Sequence, residues 1–285
     1  MTSSRPPKRF DWNNLRVRAL SATALICAVV AVIFAPGNQP PWSWAFLTMI
    51  SVGVAFLAIE WGAMAAPKAP SRVAIIVTVA ILAPIFLTYL HLFKQAWIAI
   101  AVLSVGAGLV AKTLPTRARD VAYGVAYLGP PCVALTWLHV MPNPISWTIL
   151  VFAVTWCADI AAFAVGNALK GPKLSPRYSP NKTWSGFFGG LCGAMIAAVV
   201  TAEARIIFST AILSLPAAAV IGLIGGLATM AGDLWESMLK RNYGVKDSGD
   251  LIPGHGGLLD RVDGLMFAVV SIALARLAYE AGWGH

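Results

Sequence analysis

The chain is poor in charge. Of its 285 residues only 12% are Asp, Glu, Lys or Arg, while 58% are hydrophobic, against about 25% and 45–50% in ordinary soluble domains. A chain of this size with so little polar surface cannot hide its apolar side chains inside a water-facing globule. The same composition excludes intrinsic disorder. Cysteine is scarce as well: Cys27, Cys132, Cys157 and Cys192 each lie in an apolar run and form no CxxC pair. That excludes a disulfide-stapled secreted module and leaves them as small core hydrophobes. The four histidines, His91, His139, His255 and His285, lack metal-ligand spacing. A cleavable signal peptide is missing too. The stretch 19–35 has a basic flank but meets Pro36-Gly37 without a small-residue cleavage site, so it reads as a retained span.

What the chain has in abundance is long apolar runs. They fall at 19–35, 42–64, 73–90, 96–111, 121–138, 145–165, 186–202, 206–231 and 264–283, each close to the roughly 20 residues that cross about 30 Å of hydrocarbon. The expected fold is all-α, a polytopic membrane protein with about nine transmembrane helices. A basic tail (1–18) precedes N-terminal helices over 19–140. A C-terminal region over 141–285 carries polar segments at 166–185 and 232–263. The fifth run holds Pro130-Pro131 in its middle and is expected to kink or break there.

Nine alternating spans sort the connections into two sets. One holds Arg5, Lys8, Arg9, Arg16 and Arg18, then Lys68 and Arg72, then Lys112, Arg117 and Arg119. It continues with Lys170, Lys173, Arg177 and Lys182, and ends with Lys240, Arg241, Lys246 and Arg261, making 18 of the 21 basic residues. The other keeps only Lys94, Arg205 and Arg276. By the positive-inside rule the first set is cytoplasmic. The net charge of +9 then needs no nucleic-acid partner, because Lys and Arg beside anionic headgroups account for it.

Acids are few and gathered. Six of the twelve lie between Asp233 and Asp263, at the edges of two membrane spans where charge is expensive. Asp233, Glu236, Ser237 and Lys240 follow i, i+3, i+4, i+7 and share one helical face. The run Pro253-Gly254-His255-Gly256-Gly257 is flexible enough to turn backbone N–H groups toward one point, as phosphate-cradling loops do. Asp260, Arg261 and Asp263 follow it. Carboxylates beside Lys and Arg are what a magnesium-assisted reaction at phosphate needs: acids for the cation, bases for the phosphate oxygens. A second polar island runs from Asp159, an intramembrane carboxylate, through Gly166, Gly171, Lys173 and Ser179-Pro180-Asn181-Lys182-Thr183. Its lysines and hydroxyls suit an anionic ligand. Glu60, near the end of its span, is expected to snorkel to the interface.

At these residues the sequence resembles the phosphatidate cytidylyltransferases, or CDP-diacylglycerol synthases. The resemblance rests on Ser237-Met238-Leu239-Lys240-Arg241, Lys246-Asp247-Ser248-Gly249, Pro253-Gly254-His255-Gly256-Gly257 and Asp260-Arg261-Val262-Asp263. It is specific over about 155–265; earlier residues match only as generic spans. Family members often carry Thr and Glu where this chain has Ile160 and Ser185. The resemblance implies that CTP and phosphatidic acid react to CDP-diacylglycerol and pyrophosphate, at a multi-pass protein of a bacterial-type inner membrane with its site facing the cytoplasm. It also implies Mg²⁺, a second cation (K⁺) and a homodimer. Asp233 and Asp260 would be metal ligands, with Asp263 a further candidate. Lys240, Arg261, Lys182 and Lys173 would meet phosphates, with Ser179, Asn181, Gly256 and Gly257 lining the ligand. Two other readings are a CTP-dependent polyprenol kinase, which the full signature disfavours, and a secondary transporter. A transporter has no reason to gather Lys-Arg, a glycine loop and paired aspartates at one membrane edge.

Overall fold

The computed structural model describes residues 12–35, 44–204, 213–251 and 256–283. The first eleven residues of the basic tail, Arg205, and Pro253, Gly254 and His255 of the glycine run lie outside the described residues, as do the starts of the expected spans at 42 and 206. The elements in order are α1 (Trp12–Ile33), α2 (Trp44–Ala65), α3 (Pro70–Tyr89), α4 (Phe93–Ala111), α5 (Ala118–Val140), α6 (Pro144–Leu169), strands β1 (Lys173–Ser175) and β2 (Ser179–Thr183), α7 (Trp184–Glu203), α8 (Leu215–Asn242) and α9 (Leu259–Ala278). A wider turn over Tyr279–Trp283 follows α9. Eight helices, α2 to α9, are long and apolar enough to cross a membrane, whereas the described apolar stretch of α1, Thr23–Ile33, is shorter. The chain is an all-α, multi-pass membrane protein.

Three details depart from the sequence reading. An antiparallel hairpin, β1 with β2 (Lys173 opposite Thr183, Ser175 opposite Ser179), interrupts the helical order inside the polar island. α5 runs unbroken through Pro130 and Pro131. It is the most thoroughly buried span, with Val121, Val125, Leu128 and Leu138 fully enclosed, and packing on all sides holds a helix whose prolines each remove a backbone bond. α8 does not stop at the apolar boundary near 231 but continues to Asn242, where Gly244, at φ 76°, ends it. A left-handed residue after the last turn is the usual glycine-terminated exit. The shared face of Asp233, Glu236 and Lys240 is therefore built on the last three turns of a membrane helix.

Close helix approach organises the C-terminal half. On α7, a β-carbon at Gly190 would stand 3.0 Å from the Ala158 carbonyl oxygen, and one at Gly193 would stand 2.8 Å from that of Cys157. These glycines let α6 and α7 touch backbone to backbone, the small-residue packing that replaces hydrophobic drive inside lipid. Contacts between distant segments show that the ends alternate as expected. The ends of α2 and α8, the start of α9 and the hairpin meet on one side, through Glu60 to Leu258 and Lys182 to Asp233. On the other side Arg276 donates to the Pro142 carbonyl at 3.0 Å, and Phe46 stacks on His139 with ring centroids 3.7 Å apart.

Helix contact at Gly193 is open to a direct test. Gly193→Val should lower the thermal midpoint in detergent, since the added atoms meet Cys157 and Ala161 and overpacking costs about 1–3 kcal/mol. Gly106→Val, whose β-carbon meets nothing within 4 Å, is the control and should leave the midpoint near wild type. Equal midpoints for the two variants would remove the packing role of Gly193.

Candidate active site

α8 and α9 carry the acidic residues, and two glycines set how near they come. A β-carbon on Gly232 would meet the Asp263 carbonyl oxygen at 2.5 Å, and one on Gly264 would meet the Thr229 side chain at 2.7 Å. With the backbones this close, Asp233, Glu236 and Lys240 on α8 face Asp260 and Asp263 on α9. Lys240 is ion-paired to Asp260 and lies 3.3 Å from Glu236, which is fully buried. The last turns of α8 thus bury one carboxylate and share its counter-ion with a second.

The hairpin closes the other wall. Thr183 caps α7 by accepting from Gly186 N–H at 3.1 Å. Ser185 accepts from Gly171 N–H at 3.2 Å, which ties the approach to β1 onto α7. Fixed in this way, β2 aims Lys182 at Asp233, to which it is ion-paired. Between hairpin, α6, α8 and α9 lies a cavity of about 780 Å³, within the size range of small-molecule sites.

Its lining brings together most of the residues singled out above: Lys173, Asn181, Lys182, Asp233, Lys240, Asp260, Arg261 and Asp263. Asp159, Thr183 and Asp247 join them. Asp263 lies within electrostatic reach of Asp233 and Asp159. The lining carries five carboxylates (Asp159, Asp233, Asp247, Asp260, Asp263) against four cationic side chains (Lys173, Lys182, Lys240, Arg261), a formal net of −1. Beside the polar Asp159 and Asn167, α6 and α7 add the apolar Ala162, Phe163 and Phe187 to the lining, and Phe163 is 75% exposed. The cavity therefore joins a charged wall to an apolar patch.

Three expected site residues stand elsewhere. Ser179 is in register with Ser175 at the turn end of the hairpin, outside the cavity lining. Gly256 and Gly257 are also outside the cavity lining. The Gly257 N–H donates to Asp260 Oδ2 at 3.1 Å, and the next two, Leu258 and Leu259, donate to Glu60 at 2.6 and 2.7 Å. The loop turns its N–H groups toward one point, as its composition suggests, but protein carboxylates occupy that point. Gly256, at φ 82°, supplies the left-handed residue the turn requires.

Two participants escaped the sequence reading. Glu60 does not snorkel; it is 2% exposed. Ser248 is buried and sits 3.0 Å through its hydroxyl from both Glu60 Oε2 and Asp260 Oδ2, while its N–H donates to Asp260 Oδ2 at 3.0 Å. The sequence signal for Glu60 was that it is one of just four glutamates and lies in a span, and that for Ser248 its place in the segment Lys246-Asp247-Ser248-Gly249. Beside Glu60, the fully buried Trp61 donates to the Asp120 carbonyl at 3.1 Å and packs edge-on against Tyr243. Burial, then the neighbouring Asp120 carboxylate, push the Tyr243 phenol up to about 12. It stays protonated at neutral pH and donates to Asp120.

Comparison with known proteins gives the family. A model of the cytidylyltransferase family matches residues 16–278. The chain is 44% identical over 155 residues to the phosphatidate cytidylyltransferase of Brucella suis biovar 1 (strain 1330), covering 54% of this chain and 55% of that protein. It is 38% identical over 169 residues to that of Pseudomonas aeruginosa, covering 59% and 60%. For that of Rickettsia felis it is 33% over 196 residues, covering 65% and 84%. The matched stretch spans a little over half the length of the Brucella relative. With the family match running through nearly all of its length, the chain belongs to the cytidylyltransferase family.

Proposed function

We propose that this protein transfers CMP from CTP to phosphatidic acid, giving CDP-diacylglycerol and pyrophosphate, and that it does so at the cytoplasmic face of a bacterial inner membrane. The observation that carries this reading is the mixed lining of the cavity, which offers Lys and Arg to phosphates and the apolar Ala162, Phe163 and Phe187 to acyl chains. A soluble nucleotide and a membrane lipid can meet there without either leaving its own solvent. The names of the relatives support the same substrates.

In the reaction an anionic phosphate oxygen of the lipid attacks the α-phosphorus of CTP, and the bond to the β-phosphate oxygen breaks as pyrophosphate departs. The nucleophile is already charged, so no general base has to remove a proton. The work is to bring two polyanions together and to stabilise the charge that builds on the leaving group. Lys240 and Arg261 at the α8–α9 edge, with Lys182 and Lys173 on the hairpin, are the side chains to hold phosphate oxygens.

A lining with a net charge of −1 would repel two polyanions unless divalent cations added positive charge. Among the described residues no three Asp, Glu, His or Cys side chains form a ready-made cage. Mg²⁺ does not require one. It takes one or two carboxylates and completes its octahedron with water and phosphate oxygens, and the potential ligands among the lining residues are hard oxygen donors, five of them carboxylates. Asp233 and Asp260 are the ligands to expect, with Asp263 beside them. Each of the first two carries a lysine ammonium that a divalent cation would displace toward the phosphates. When bound, Mg²⁺ would neutralise phosphate charge and polarise the bond that breaks.

Three experiments test this reading. Purified protein supplied with phosphatidate, Mg²⁺ and α-labelled CTP should move label into lipid. Asp233→Asn and Asp260→Asn should each abolish that transfer in folded protein, and EDTA should do the same reversibly. Near-normal turnover in either variant would end its ligand role, and lipid labelled only from γ-labelled CTP would favour a kinase. Next, Lys240→Ala and Arg261→Ala should lower kcat by roughly 10- to 150-fold, the value of one charge-assisted contact of about 1.5–3 kcal/mol. Lys246→Ala should do much less, because Lys246 is exposed and outside the cavity lining; the reverse order would show that the catalytic face is misassigned. Finally, in a cysteine-free background, Lys246→Cys should react with an impermeant maleimide only after the cells are permeabilised. Labelling from outside intact cells would invert the topology and leave the site without access to CTP.

A further inference from the structure

Glu60 lies on α2, close to 200 positions before the residues it touches, yet both of its oxygens are fully engaged. Oε1 accepts from Leu258 N–H at 2.6 Å; Oε2 accepts from Leu259 N–H at 2.7 Å and lies 3.0 Å from the Ser248 hydroxyl. The first N–H groups of any helix have no partner within it. α9 brings none of its own, since its cap position is Leu258 and no side chain there accepts a bond. A carboxylate from another span fills the need, where the helix dipole favours negative charge.

We infer that Glu60 is a positioning residue for the site. It holds the first turn of α9 to the end of α2 and, through Ser248 in the connection after α8, fixes the carboxylate of Asp260. The Ser248 hydroxyl is shared between Glu60 Oε2 and Asp260 Oδ2. Asp260 Oδ2 also takes the Ser248 and Gly257 N–H groups, which leaves Oδ1 directed at Lys240. Asp260 and Arg261 ride on the first turn of α9 and Asp263 opens the next, so the clamp bears on three cavity residues. The glycines around it are explained in the same way. A β-carbon on Gly257 would overlap the Ser248 hydroxyl and stand 2.6 Å from Glu60 Oε2, and one on Gly249 would stand 3.2 Å from Glu60 Cγ. These positions are bare because Glu60 occupies the space.

The inference rests on the transferase reading for its kinetic consequence, but the clamp can be tested without it. Glu60→Gln keeps the shape and removes one acceptor, setting an amide N–H₂ against a backbone donor. In the label-transfer assay, kcat per folded molecule should fall about ten-fold or more, the worth of a charge-assisted bond. KM for CTP should change little, and the Mg²⁺ concentration for half-maximal rate should rise. Glu60→Asp keeps both acceptors one methylene short, and its kcat should recover part of the loss. Pairing Glu60→Gln with Ser248→Ala should cost less than the product of the single effects, because both act through Asp260. Independently of activity, hydrogen exchange at the Leu258 and Leu259 amides should quicken in Glu60→Gln. Wild-type kcat, or a loss that only tracks unfolded protein, would overturn the positioning role. Unchanged exchange at those amides would overturn the clamp itself. If the wild-type protein transfers no label, the functional reading fails, while the exchange measurement still decides whether Glu60 holds α9.

Discussion

One carboxylate ties the site together. Asp260 receives Lys240 on one oxygen, and two backbone N–H groups with the Ser248 hydroxyl on the other. Those donors come from α8, from the connection after it and from the turn before α9. In bulk water such a cluster would be worth little. At a membrane edge the alternative is an unpaired charge in a poor solvent, so the same contacts become obligatory. Break the arrangement at Asp260 and α8, the loop and α9 lose the group on which they converge.

The rest of the architecture makes that convergence possible. Bare backbone at Gly232 and Gly264 lets α8 and α9 approach until their acids face one another, and glycines on α7 bring α6 and its Asp159 to the same cavity. Chains in lipid have no hydrophobic incentive to pack helix on helix, and removing side chains at the contact is how close approach is won. The cavity inherits its character from this geometry. Its charged residues come mainly from the helix ends and the hairpin, and its apolar ones mainly from α6 and α7. A lipid phosphate and a nucleotide phosphate need that juxtaposition.

Much of this was legible in the residues. Apolar runs of the right length gave α2 to α9, and the one-sided distribution of Lys and Arg gave the alternation that contacts at both ends of the bundle reproduce. The i, i+3, i+4, i+7 spacing placed Asp233, Glu236 and Lys240 on one face, and Lys182 was noticed among the hydroxyls and turns of the second island. The composition of the glycine run announces a turn that gathers N–H groups, but not that Glu60 and Asp260 would accept from them. Pro130-Pro131 suggested a broken helix, and the enclosure of α5 by its neighbours prevents the break.

Periodicity, span length and charge asymmetry are local or additive properties, so the sequence alone determined the membrane fold, the grouping of its polar ends and the identity of most cavity residues. Glu60 marks the limit. Its partners are mainly backbone N–H groups of Leu258 and Leu259, and every residue other than proline carries the same donor, so no side-chain pattern announces the contact. An acid near a span end reads as a snorkelling one until the position of α9 is known. Which carboxylates face the cavity and which are consumed inside the wall was decided by tertiary structure, because only the packed helices determine which donors each oxygen meets.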